Sequence, residues 1–120
     1  MRQFSFEKLN VWQKSRTLSV LVYNITKRYP IEEKFGLMSQ MRRSTMSIAS
    51  NIAEGSGRHT AKDKARFTEI AYSSALELLS QSIISADLDY IKQEELKEIK
   101  LKLSEITAML DGLYKAQLNS

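Results

Sequence analysis

Apolar side chains recur at steps of three and four residues through most of this chain, the spacing of amphipathic helices. The clearest run is Leu96, Ile99, Leu103, Ile106, Leu110 and Leu113, spaced 3, 4, 3, 4 and 3. Ile and Leu alternate along it, as they do in seams where helices interdigitate. The same rhythm appears at Tyr72, Leu76, Leu79, Ile83, Ala86 and Tyr90. Earlier runs are Val11, Leu18, Val22, Ile25 and Tyr29, and Met38, Met41, Thr45, Ile48 and Ile52. Four helices are predicted, each burying one of these seams.

Breakers set their bounds. Pro30 ends the first helix, Gly36 stands where the second begins, and Gly55 with Gly57 ends the second. Thr60, with Asp63 three residues on, caps the third. The expected helices are about 6–29, 36–54, 61–88 and 93–116 in a single domain, 1–120. The turn before the fourth has neither Gly nor Pro, and Asp89 is the best residue there for a left-handed conformation. One unbroken helix through that point is the alternative. Gly112, inside the fourth helix, has no evident role. The fold class is all-α: an antiparallel up-down-up-down four-helix bundle with short connections. An all-β fold, which needs frequent turns, is excluded.

Two helices carry a second apolar face. Leu9, Trp12, Val20 and Tyr23 lie away from the first helix's seam, and Phe67, Ile70, Leu78 and Leu88 away from the third's. Large apolar residues off the core point to an interface, either between copies or with another protein. The second helix carries a polar line instead. Arg43, Ser47, Ser50 and Glu54 step by 4, 3 and 4, with Arg42 and Asn51 beside them. Ser and Asn are poor helix formers, so their use here implies close approach by another helix. An Arg42 or Arg43 pair with Glu77 of the third helix is the expected structural use.

Composition narrows the chemistry. The 120 residues contain no cysteine and one histidine, His59. Thiol chemistry, cysteine-based zinc sites and any site needing two histidines are excluded. No metal, cofactor or catalytic residue is expected. The N-terminus has no signal-peptide core and no run is long enough to span a membrane, so a cytoplasmic location is expected. The net charge of +4 is unevenly placed: residues 1–60 hold ten cations and four anions, and residues 61–120 hold eight and ten.

Arg58, His59, Lys62, Lys64 and Arg66 form the candidate nucleic-acid site. Helix starts ordinarily favour acids, so cations in the first two turns of the third helix oppose the dipole. Phosphate contact is one reason to keep them there. No zinc finger, RNA-recognition aromatic pair or helix-turn-helix spacing is present, so nothing reads base sequence. A helical nuclease built on an Arg and a His fails, because His59 has no catalytic partner at the required spacing.

The residues Phe6-x-x-Leu9-x-Val11-Trp12-Gln13-Lys14, Tyr29-Pro30 and Phe35-Gly36-Leu37 are distinctive. So are Gln40-x-Arg42-Arg43, Ser47-Ile48-x-x-Asn51-Ile52-Ala53-Glu54-Gly55, Gly57-Arg58, Phe67 and Ser74-Ala75-x-Glu77. Through them the chain resembles the four-helix bundle proteins encoded by intervening sequences in bacterial 23S ribosomal RNA genes. The fourth helix matches in pattern only, and Ser73 and Asp89 stand where that family often has Gly. The resemblance implies an antiparallel bundle that assembles into a ring-like homo-oligomer, a homopentamer, with no known enzyme activity. It also implies a link to RNA, through the genetic setting of relatives and a likeness to the ring-shaped accessory proteins of diversity-generating retroelements. The expected function is therefore a non-catalytic oligomer that binds RNA or an RNA-associated partner through its basic surface. A protein-interaction scaffold with no nucleic-acid role is the alternative.

Overall fold

A computed structural model describes all 120 residues. Four α-helices, with no strand, run α1 Asn10–Thr26, α2 Leu37–Ser56, α3 Ala61–Asp87 and α4 Gln93–Leu118. Two short 3-10 turns, Ser5–Lys8 and Ile31–Glu33, precede α1 and α2. Each helix packs on its two neighbours in the cycle α1–α2–α3–α4, while the backbones of α1 and α3, and of α2 and α4, stay more than 8 Å apart across the core. Buried residues of all four helices, with Tyr29 and Ile91, form one apolar core.

Local chemistry explains where the helices start and stop. Residues 5–8 turn before α1 because the Glu7 carboxylate accepts the Phe4 N–H at 2.8 Å. The first helix ends at Thr26, earlier than expected, as Arg28 and Tyr29 N–H tighten onto Ile25 and Thr26 carbonyls. At α3 the Thr60 hydroxyl accepts the Asp63 N–H at 3.0 Å, the expected cap. Glu95 caps α4 by accepting the Lys92 N–H at 2.9 Å. The Arg28 guanidinium also pairs with Glu95 and ties the end of α1 to the start of α4.

The α3–α4 turn closes on Asp89, whose φ is 61°, the one positive φ in the chain. Tyr90 N–H donates to Ser85 C=O at 2.9 Å and Asp89 N–H to Ala86 C=O at 3.0 Å, a Schellman end. The unbroken-helix alternative is therefore excluded. A left-handed Asp is less favourable than Gly. Replacing Asp89 with Gly is expected to raise stability by about 0.5–1 kcal/mol, read as a later urea midpoint. An unchanged or earlier midpoint would contradict the left-handed turn.

The seams of α1, α2 and α4 are buried as their spacing predicts, but α3 corrects its own. Leu76 and Ile83 of the expected seam are exposed, at 52% and 40%. The buried face carries Ala71, Ser74, Ala75, Leu78, Ser82 and Ser85. Small residues let α2 and α3 make the most extensive helix pairing in the molecule. Their hydroxyls are satisfied locally: Ser82 donates to the Leu78 carbonyl at 2.8 Å and Ser85 to the Gln81 carbonyl at 2.9 Å. No buried side-chain nitrogen or oxygen lacks a partner. No helix is long and apolar enough to cross a membrane.

Candidate nucleic-acid interface

The basic cluster sits where α2 ends and α3 begins. Gly55 and Gly57 were expected to end α2 after residue 54; the helix runs two residues further, to Ser56, and Gly57 is its C-cap. Gly55 instead lies buried against α3, where an added Cβ would stand 2.8 Å from the Phe67 Cβ. This contact seats Phe67 within reach of two guanidinium groups. Arg58 lies 4.4 Å and Arg66 5.3 Å from the centroid of its ring. Both distances are within cation–π range, so one ring holds two cations.

Arg58 also reaches the Glu54 carboxylate at 3.4 Å, an exposed pair. Lys62, Lys64 and Arg66 pair with no carboxylate. Lys62, Arg66 and His59 are exposed and Lys64 is half-buried. Three cations without an ion-pair partner thus stand over the first two turns of α3 beside a single acid, Asp63, where the dipole also favours an anion.

Two further cations reach this end, and the sequence reading missed them. The N-terminal turn folds beside the end of α2, so that Arg2, Phe4, Phe6 and Lys8 face Ala53, Ser56 and Gly57 across a cleft of about 570 Å³. Gln13 holds the turn in place by donating to the Glu7 carbonyl at 2.8 Å. The apolar spacing of Phe4, Phe6 and Leu9 was the available signal; where the turn lands depends on the tertiary fold.

The interface candidates separate. Phe67 and Leu78, at 6% and 0% exposure, are buried within the chain and drop out of the interface set. The reason is the corrected face of α3, which turns both inward. Val20 and Tyr23 are exposed, while Leu9, Trp12 and Ile70 are half-buried. Trp12 packs against the core, edge-on to Phe6 at 4.9 Å, with Arg16 over its ring.

The polar line on α2 also divides. Ser47 and Ser74 hydroxyls meet at 2.8 Å, and Asn51 donates back to Ser47. Ser44, not an arginine, donates to Glu77 at 3.1 Å and to Gln81 at 2.9 Å. The expected Arg–Glu77 pair does not form, because the two arginines leave α2 in other directions. Arg42 turns toward α1, donating to the Thr26 hydroxyl at 2.9 Å and the Tyr23 carbonyl at 3.2 Å. Arg43 points to solvent.

Two phenols at the opposite end are shifted. Burial pushes Tyr29 above the usual tyrosine range. Tyr90 is raised chiefly because its O–H donates to the Glu33 carboxylate, at 3.1 Å. Each is held in its protonated form more firmly than a free phenol.

The sequence profile of the 23S rRNA-intervening sequence proteins matches residues 7–112, nearly the whole chain. The chain belongs to that family. Among solved structures it is similar to a protein of unknown function from the S23 ribosomal protein family of Bacteroides thetaiotaomicron. The TM-score is 0.81 at 26% identity, over 88% of this chain and 98% of the other. No curated protein matches it.

Proposed function

We propose that this member of the 23S rRNA-intervening sequence family is a non-catalytic, oligomeric protein of the cytoplasm. It binds RNA, or an RNA-associated partner, through the basic end formed by Arg58, His59, Lys62, Lys64 and Arg66. Its helices alternate in direction as an antiparallel up-down-up-down bundle, and copies associate into a ring-like homo-oligomer, a pentamer. The observation that carries the reading is the set of unpaired cations on the first turns of α3. There, backbone N–H groups and side chains favour the same phosphate. Arg2 and Lys8 extend the positive surface beside it. In a ring the cluster repeats about the axis and its field adds.

Labelled structured RNA titrated over a salt series tests this. Measurable affinity at about 50 mM salt is expected, with a negative log–log slope of about 0.9 per phosphate neutralised. A Lys62→Glu/Lys64→Glu/Arg66→Glu variant is expected to lose that affinity. No binding at low salt overturns the proposal.

The second reading, a scaffold for another protein, is favoured by the exposed Val20 and Tyr23 on α1. It predicts partner capture that the triple variant leaves intact. Light scattering tests assembly directly, and a mass near 13.8 kDa overturns the ring.

A further inference from the structure

An open groove of about 610 Å³ lies away from the basic end, where α1, the α1–α2 connection and α2 meet. Its cations are Lys27, Lys34, Arg42 and Arg43, and no carboxylate lines it. None of the four is in an ion pair. Arg42 is fixed in place by its bonds to Thr26 and Tyr23, with its guanidinium 4.5 Å from the Tyr23 ring centroid. Of the two acids in the connection, Glu33 is engaged elsewhere, accepting from the Leu37 N–H and the Tyr90 O–H, and Glu32 is exposed outside the lining. The apolar lining is exposed: Ile31 at 77%, Phe35 at 89% and Met46 at 45%. A half-apolar, wholly cationic groove calls for an occupant that is apolar and acidic.

The chain carries such a surface on α3. From Phe67 to Ile91 there is no Lys or Arg, and there are four acids, Glu69, Glu77, Asp87 and Asp89. Glu69, Leu76, Ile83 and Asp87 fall on one outward line of the helix, and Glu77, Ile84 and Leu88 on the line beside it. The four apolar residues are 40% to 52% exposed. Asp87, in the last turn of α3, opposes the helix dipole just as the lysines at its start do, and no cation in the chain pairs with it. This surface is exposed on α3, and no residue of α3 lines the groove of its own chain.

We infer that the groove between α1 and α2 receives the outward face of α3 from a second copy of this chain. The contact is head-to-tail, joining two different patches, so each copy keeps one of each free for the next. Leu76, Ile83 and Ile84 cover the apolar rim, and Glu77 and Asp87 meet the unpaired cations. The inference rests on the self-association proposed above and names the surfaces that make it. It also gives exposed side chains of α3, which a lone bundle would place inward, a reason to be outside.

Charge reversal tests the pairing. A groove variant, Lys34→Glu/Arg43→Glu, and a face variant, Glu77→Lys/Asp87→Lys, each alter exposed residues; Ser44 loses Glu77 as an acceptor in the latter but keeps Gln81, and circular dichroism checks that each remains helical. By light scattering the wild type is expected to exceed 13.8 kDa and each variant to fall to it. The chain carrying all four substitutions exchanges the signs of charge at the four positions, so that the proposed pairs are again opposite in sign, and its mass is expected to recover. Recovery separates the pairing from mere loss of fold. A wild type already at monomer mass overturns the self-association reading and this inference together. An oligomeric wild type whose mass neither variant changes overturns this inference alone, and leaves the groove to an acidic segment of another protein. Two monomeric variants with no recovery in the combined chain also overturn it.

Discussion

Leu78→Ala is expected to lower stability by about 2–5 kcal/mol, while Leu76→Ala, two residues earlier on the same helix, costs less than about 1 kcal/mol. Leu78 has no exposed surface and lies within the continuous core. It is the one large aliphatic side chain fully buried from α3, among alanines and serines. Its removal takes apolar atoms out of the core and leaves a cavity. Its buried neighbours on α3 are alanines and serines, whose side chains are too short to close it. Leu76 is half exposed, and its truncation leaves no void. Urea unfolding of dilute protein, where copies are apart, measures both. Were the 3-4 rhythm at Tyr72, Leu76, Leu79 and Ile83 the core seam, the order of the two costs would invert.

That contrast marks where the sequence is readable and where it is not. On α1, α2 and α4 the inward face is the large apolar one, so spacing alone places Leu18, Ile48 and Ile106 in the core. On α3 the inward face is chosen by size rather than hydrophobicity. Ser74 and Ser85 are buried against α2, where they reach Ser47 and Met41, and Ser82 is buried with its hydroxyl bonded back to the Leu78 carbonyl. A periodicity reading ranks those positions as polar and turns the helix around. The same error moved Phe67 and Leu78 to the surface.

The basic cluster was legible because its members are neighbours in sequence. Arg2 and Lys8 were not, since only the tertiary fold brings the N-terminal turn to the end of α2. The groove cations show the same limit. Lys27 and Arg43 are far apart in sequence and meet only when α1 and α2 pack. Asp89 was legible by elimination, in a turn that offers no Gly and no Pro.

Gly55→Ala is expected to lower stability by about 1–2 kcal/mol, although Ala is the better helix former by about 1 kcal/mol. The new Cβ would lie 2.8 Å from the Phe67 Cβ and 3.4 Å from the Lys64 carbonyl oxygen. Carbon atoms in contact prefer about 3.5–4.0 Å. Both obstacles belong to or sit directly on the α3 backbone, so no rotamer change relieves them. Phe67→Ala keeps its Cβ and is expected not to rescue the variant. Relief requires α2 and α3 to part, and that displaces the ring within reach of Arg58 and Arg66. Weaker RNA binding is therefore expected to accompany the earlier urea midpoint. Gly57→Ala is the control. Its Cβ would meet only the Glu54 carbonyl at 3.6 Å, an ordinary contact. It is expected to leave both readouts within about 0.5 kcal/mol of wild type. A Gly55→Ala protein as stable as wild type would mean that α2 and α3 do not approach as closely as this glycine allows.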